Sequence, residues 1–427
     1  MSRLYWISSL FFTRHVWHDD TLPHTRHKNT PAETEAVSRL HGEIFQRVWI
    51  IGYELKTFSY EARETFLDQQ IHVTQSFAPD ISTFESFTDT IIKSRIFTNN
   101  GPLCRKLERE LSVYLGVDYL SLCSNGTRGL EIALHAVQAS GKTIITTPFS
   151  YVATVSAALW IGCRILFADI DEKTLAIDPK CVAALMNEDV AAIIPVNIYG
   201  YPCDAQAIRD IADSKPVIYD AAQTFGAVQN GKTLFHDGDL AVGSFHATKV
   251  FHTFEGGCIV SHSREMHEKI NLLRAFGHSG DSHFRLGTNA KISEIHAACG
   301  LTMLDRTNEN IRQRGEKSRL YDESLSFSHF RKPVLPADFQ SNNGYYPIIF
   351  DSEKLLLKVM EKLAEIQVFP RRYFYPSLNT LPYLKYQSCP VSESIAKCAL
   401  CLPLFAELPE RKLEQITDIV NRVCRNA

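Results

Sequence analysis

The sequence predicts an α/β protein: a large domain with a mainly parallel sheet covered by helices on both faces, then a smaller α+β domain. Two observations carry this. From about residue 103, short apolar runs alternate with stretches of helical period. Four short segments rich in Gly, Ser, Asp and Lys stand where such runs end, and ligands gather at those ends in parallel sheets.

The elements follow in order. Leu103, Leu107, Leu111 and Leu115 recur at four-residue steps, one face of a helix opened by Asn99-Asn100-Gly101-Pro102. An apolar run at 119–123 reads as a strand and 127–137 as a helix. Strands at 143–147, 164–168, 191–196 and 217–220 alternate with helices at 152–161, 179–186 and 205–212. A long helical pattern over 292–325 reads as one connector. Strands at 345–350 and 400–404 and helices at 353–366 and 410–423 complete the chain. The predicted division is an extension (1–70), a large domain (71–310) and a small C-terminal domain (311–427).

Composition narrows the function. Of 427 residues, 45% are hydrophobic and 22% charged, which excludes a disordered or fibrous chain. With 45 basic and 48 acidic side chains the formal charge is −3, so no net positive field favours nucleic acid. No run approaches the ~18–20 apolar residues of a membrane helix. The apolar run from Leu4 to Phe12 is short, and no secretory signal is expected. Eleven scattered cysteines, mostly in apolar segments, fit reduced thiols and a cytoplasmic location. The single C-x-x-C, Cys398 and Cys401, has no second pair at metal-site spacing and reads as two core thiols where a helix meets a strand. Residues 1–70 lack the βα rhythm. Their histidines His15, His18, His24, His27 and His41 have no metal-ligand spacing, so no metal site is expected.

The four segments carry the chemistry. Ser124-Asn125-Gly126-Thr127 opens a helix, where free N–H groups suit a phosphate, though an ordinary N-cap reads the same way. Pro148-Phe149-Ser150-Tyr151 puts aromatics at a strand end, for a ligand or for the core. Asp220-Ala221-Ala222-Gln223 ends a hydrophobic strand with a carboxylate that needs a cation or caps a turn. Ser244-Phe245-His246-Ala247-Thr248-Lys249 precedes Glu255-Gly256-Gly257, and its lysine is either a desolvated amine fit for a Schiff base or a solvated surface group. Together, an anion cradle, an aromatic face, a carboxylate, an amide and a lysine are the parts that hold pyridoxal phosphate.

From about residue 71 to 423 the chain resembles the DegT-like sugar-nucleotide aminotransferases, pyridoxal-phosphate (PLP) enzymes of fold type I. The stretches that carry the likeness are FTNNGP (97–102), SNGTRGLEIAL (124–134), TTPFSYVAT (146–154), LFADID (166–171), IPVNIYG (194–200), YDAAQTFG (219–226), SFHATKVFHTFEGG (244–257) and LGTNAKISEIHAA (286–298). The resemblance implies roles. Lys249 binds the cofactor as a Schiff base and Asp220 pairs with its pyridine nitrogen. Gln223 lies near the ring hydroxyl, with Tyr151 on one ring face and Ala222 on the other. Gly126, Thr127 and Ser244 hold the phosphate. Asn289 reaches the phosphate in the neighbouring subunit, which implies a homodimer with shared sites. The family's GYNYR is here Gly287-Thr288-Asn289-Ala290-Lys291, without the two aromatics and with Lys for Arg.

FTNNGP, SNGT, the short loop Ser140-Gly141-Lys142, FHATKVFHTFEGG and RRYFYPSL (371–378) resemble the branch making dTDP-4-amino-4,6-dideoxyglucose. The reaction so implied moves the amino group of L-glutamate to a 4-keto-6-deoxy sugar nucleotide for surface polysaccharide or glycan synthesis. Alternatives are a 3-keto sugar-nucleotide aminotransferase and a regulatory protein that keeps the fold. A related sugar dehydratase would carry histidine in place of Lys249.

Overall fold

The computed structural model describes residues 70–426. The histidines of the extension lie outside the described residues.

Helix α1 (Ile81–Ser94) and α2 (Pro102–Leu115) lead into strand β1 (Tyr119–Cys123). Then come α3 (Gly126–Ala136), β2 (Thr143–Thr146), α4 (Val152–Trp160), β3 (Arg164–Phe167), α5 (Pro179–Leu185), β4 (Val190–Ile194), α6 (Ala205–Ala212), β5 (Ile218–Asp220) and β6 (Leu240–Ser244). β7 (Gly257–Ser261), α7 (Arg264–Leu273), α8 (Glu294–Leu304) and α9 (Thr307–Ser324) follow. The sheet order is β3-β2-β4-β5-β6-β7-β1, with parallel bridges Ile193–Val217 and Val196–Asp220 joining β4 to β5. Only β7 runs antiparallel to its neighbours, on both sides.

Period-two alternation fills both faces of the sheet. Ile145, Ile193, Ala241 and Val260 pack with Leu107 of α2, Ile208 of α6 and Ala298 of α8. Ile144, Ile194, Val242 and Ile259 face Ala133 of α3, Val155 of α4 and Ile270 of α7.

Beyond α9 lie β8 (Tyr346–Phe350), α10 (Glu353–Glu365), α11 (Pro390–Cys398), β9 (Ala399–Leu402) and α12 (Glu410–Arg425). β8 is the centre of a three-stranded antiparallel sheet, between Phe330–Arg331 and β9. Leu356, Leu363, Leu400, Ile416 and Val420 build a separate core there. Cys398 ends α11 and Cys401 lies in β9, both as free thiols.

Three parts of the chain differ from the sequence reading, one of them 257–273, where β7 and α7 form in a stretch for which no element was predicted. The connector predicted over 292–325 is two helices, α8 and α9, interrupted at Asp305–Arg306. The Thr302 and Thr307 hydroxyls donate to the carbonyls of Ala298 and Met303, four residues back, a bond that bends helices. Helix α1 was not predicted, although Phe84, Phe87 and Ile91 recur at helical spacing and pack on the core, while Ile81 and Ile92 are exposed.

The start of α2 depends on a distant carboxylate. Buried Glu294 accepts from the N–H groups of Leu103 (2.8 Å) and Cys104 (3.0 Å), capping α2 from the first turn of α8. A Cβ on Gly101 would lie 2.6 Å from the Glu294 carboxyl carbon, so FTNNGP needs glycine there. Glu294→Ala should cost about 2–3 kcal/mol in chemical denaturation, because two buried N–H groups lose charged acceptors. Glu294→Gln, which keeps one acceptor oxygen, should lose clearly less; equal losses would reject the capping role.

Candidate active site

Five carboxyl ends of the parallel strands open on one cavity of about 380 Å³. After β1, Asn125 caps α3: its side chain accepts from the Arg128 N–H (2.9 Å) and its carbonyl from Gly129 (3.0 Å). The N–H groups of Gly126 and Thr127 are left without intrahelical partners at the positive end of the helix, beside Ser244. A Cβ on Gly126 would lie 3.1 Å from that of Ser244, a tight contact that would crowd the cradle. After β2, Tyr151 begins α4 and its exposed ring lines the cavity.

Asp220 ends β5 and is buried. Its carboxylate accepts from the Thr154 hydroxyl (2.7 Å) and from the Ala222 N–H (3.1 Å). Burial raises its pKa, while these two bonds and the charge of Lys249 act in the opposite direction. Gln223 accepts through Oε1 from the N–H of Tyr199, which is held at φ 58°. Lys249 follows β6 and donates to the Tyr345 hydroxyl (3.2 Å). Burial lowers its ammonium from the ordinary 10.5 to about 8, against the pull of Asp220 and Tyr151.

Of the nine residues predicted from sequence, this cavity gathers Gly126, Thr127, Tyr151, Asp220, Ala222, Gln223, Ser244 and Lys249. Asn289 is not among them. It lines a second cavity of about 340 Å³ with Ser124, Glu255, Lys291 and His296, and accepts from Lys291 Nζ (3.0 Å). Glu255 lines both cavities. Arg128 pairs with Glu131 on the half-exposed side of α3.

Sequence reasoning missed Thr154, Tyr345, Arg371 and Tyr373. Thr154 lies one helical turn beyond the aromatic segment, a signal that was readable. Tyr345, Arg371 and Tyr373 come from the C-terminal part of the chain, and nothing local marks them as cavity residues. Among the described residues no three His, Cys, Asp or Glu side chains gather as metal ligands. No described helix is long and apolar enough to cross a membrane.

A carboxylate that burial leaves in need of a cation, across from a lysine held near neutrality and an open anion cradle, fits the pyridinium, aldehyde and phosphate of pyridoxal phosphate. The class so defined is that of the PLP-dependent aminotransferases of fold type I. Residues 81–422 match the DegT/DnrJ/EryC1/StrS aminotransferase family, and the chain belongs to it. It is 40% identical over 367 residues to a dTDP-4-amino-4,6-dideoxy-D-glucose transaminase of Shigella dysenteriae, covering 84% of this chain and 100% of that one. A protein of the same description from Escherichia coli is 32% identical over 369 residues, covering 83% and 98%. The crystal structure of DesI in the presence of its TDP-sugar product superposes with a TM-score of 0.80 at 30% identity, over 84% of this chain and 94% of that one. The protein is a sugar-nucleotide aminotransferase, and its cofactor is pyridoxal phosphate.

The lowered pKa of Lys249 sets a pH dependence. A depressed pKa makes the neutral amine abundant above about pH 8, where a solvated lysine would still be protonated. Uptake of pyridoxal phosphate by the cofactor-stripped protein, followed by visible absorbance, should accelerate as pH rises through about 8 and then level off. A rate still climbing above pH 10 would contradict this.

Proposed function

We propose that the enzyme transfers the amino group of L-glutamate to dTDP-4-dehydro-6-deoxy-D-glucose, giving a 4-amino-4,6-dideoxy sugar nucleotide for surface polysaccharide or glycan synthesis. The observation that carries the substrate is the 40% identity, over the whole length of the relative, to a transaminase of that description. The cytoplasmic setting has the support of eleven free thiols.

Pyridoxal phosphate, when bound, supplies an aldehyde that takes up the amino group and a ring that accepts electrons from the substrate carbon. The chain's own residues do the rest. Gly126 and Thr127 N–H groups and the Thr127 and Ser244 hydroxyls hold the phosphate. Asp220, fixed by Thr154 and the Ala222 N–H, keeps a proton on the pyridine nitrogen. Its burial supports this, because the carboxylate gains most from a cation that water cannot screen. Tyr151 and Ala222 line the cavity and would bracket the ring, and the Gln223 amide would meet its hydroxyl. Lys249 would hold the aldehyde, and its amine would be the group that moves the proton at the substrate carbon. A pKa of about 8 suits that task, since the group is both a usable base and a usable acid near neutrality.

The reading includes a large domain over 71–310, a small one over 311–427, and a homodimer in which Asn289 serves the partner's phosphate. Support for the dimer is that Asn289 stands outside the main cavity while Ile96, Phe97, Phe284 and Leu286 expose apolar surface.

The substrate is tested by incubating the holoenzyme with glutamate and a panel of 4-keto and 3-keto sugar nucleotides and reading product mass. The 4-amino-4,6-dideoxy product from the dTDP-linked 4-keto sugar is expected. Amination of a 3-keto sugar alone would overturn the regiochemistry, and no amination of any sugar would overturn the substrate class.

Shared sites are tested by subunit mixing. Lys249→Ala and Asn289→Asp are each expected to be nearly inactive, the second because a carboxylate repels phosphate. Equal mixing should restore activity toward about a quarter of wild type, as mixed dimers hold one site with neither defect. Demonstrated subunit exchange without recovery would reject shared sites.

A further inference from the structure

The amine of Lys249 has one hydrogen-bond partner among the described residues, the Tyr345 hydroxyl at 3.2 Å. The dependence is mutual, since that hydroxyl bonds to no other described group. The partner is neutral, because burial holds the Tyr345 phenol above its ordinary value of 10. No described carboxylate forms an ion pair with the amine, and Asp220 acts on it only through its field.

Tyr345 is fixed from several sides. It stands one residue before β8. The preceding Gly344 donates its N–H to Asn342 Oδ1 (3.0 Å), and its carbonyl accepts from buried Arg314 (3.4 Å). The Asn342 amide donates in turn to the carbonyls of Gln223 (2.8 Å) and Phe225 (2.9 Å). The segment that presents Asp220 and Gln223 therefore also sets where Tyr345 stands. Its ring packs edge-on against Tyr373, with centroids 5.5 Å apart, and tilted against Tyr199 at 5.8 Å.

A fixed phenol suits an amine that is joined to a cofactor at some stages and free at others. Free lysine has a long flexible stem and would otherwise wander. A carboxylate in this place would hold the amine but lock it as an ammonium. A neutral phenol holds its position and leaves its proton exchangeable. We propose that Tyr345 is a positioning residue for the free Lys249 amine, holding it at the cavity wall whenever it is not joined to the cofactor. This rests on the proposed role of Lys249.

The test begins with the cofactor-stripped protein. Acetylation of Lys249 by acetic anhydride, read by peptide mass against pH, should show a midpoint of about 8 in wild type. In Tyr345→Phe the midpoint should fall by about one unit, because the ammonium loses its acceptor and the neutral amine loses less. A tyrosine that only packs predicts the opposite sign: a loosened site admits water and lets the midpoint climb toward 10.5. Asp220, Tyr151, Tyr373, His246, Glu255 and Arg371 line the same cavity and are kept in both proteins, so the difference reports the phenol. Tyr346→Phe, which takes the neighbouring phenol from Asp322, should leave the midpoint in place.

Cofactor affinity gives a second sign. Pyridoxal phosphate takes up the amine and pyridoxamine phosphate leaves it free, so only the first must draw it from Tyr345. Tyr345→Phe should favour pyridoxal phosphate over pyridoxamine phosphate about 3–10-fold in the ratio of dissociation constants. An unmoved or rising midpoint rejects the role, and so does an unchanged affinity ratio. The two readings fail separately. Borohydride trapping of pyridoxal phosphate on another lysine would overturn the role of Lys249, whereas trapping on Lys249 with an unmoved midpoint would overturn that of Tyr345 alone. Should Tyr345→Phe not fold, Tyr345→Gln and Tyr345→Leu decide. The first keeps a neutral acceptor and should hold the midpoint at about 8, the second should lower it, and equal midpoints reject the role.

Discussion

The close approach of helix α3 to strands β6 and β7 is the constraint on which the cavity depends. Three glycines allow it. A Cβ on Gly129 would lie 2.6 Å from Val242, one on Gly126 would press on Ser244, and one on Gly257 would meet the backbone of Asn125 and Gly126 at 2.8 Å. Interiors are packed as tightly as crystals, so a side chain at any of these points would lift the helix or push the strand aside. With the helix seated, its N-terminal N–H groups stand beside the hydroxyl that ends β6, five residues before Lys249.

Burial then sets opposite biases on the two charged groups. Desolvation raises the Asp220 carboxyl and lowers the Lys249 ammonium, and the attraction between them opposes both shifts. Burial disfavours the charged form of each group, and each therefore gains from a partner of opposite charge. Thr154 matters here although it touches no substrate. Its hydroxyl, shared with Ser150 at 2.9 Å, fixes the carboxylate's direction.

The far wall of the cavity is assembled across the chain. Phe149 and Tyr199, at strand ends of the large sheet, pack on Phe374, and Tyr373 joins Phe374 to Tyr345. Ile349 of β8 and Cys401 of β9 share this cluster with Val196 and Ile198. The aromatic cluster ties the C-terminal strands to the carboxyl edge of the sheet and orients Arg371 over it. A large, tightly packed set of rings with fixed hydroxyl partners allows little drift in the positions of the groups around Lys249.

Much of this was legible in the sequence. The alternation of apolar runs and helical stretches marks strands and helices, because burial on both faces of a parallel sheet demands it, and the polar segments between them supply eight of the nine predicted residues to one cavity. Helix α1 was missed although its stripe of Phe84, Phe87 and Ile91 was there to be read, because the extra exposed Ile81 and Ile92 blur its period. The break between α8 and α9 was not legible, since it depends on two threonine hydroxyls bonding back to carbonyls. Asn289 could be picked out by motif, but only the folded chain separates it from the cofactor cavity by the width of the Glu255 wall. Arg371 and Arg372 are neighbours of identical chemistry, and no local rule distinguishes them. By itself, then, the sequence determined most of the element order, the family and the cofactor, because these reside in local pattern and side-chain type. Which arginine faces the cavity, what holds Asp220 and what meets Lys249 were decided only by tertiary structure, because strand alternation and long-range packing choose the side on which each group lies.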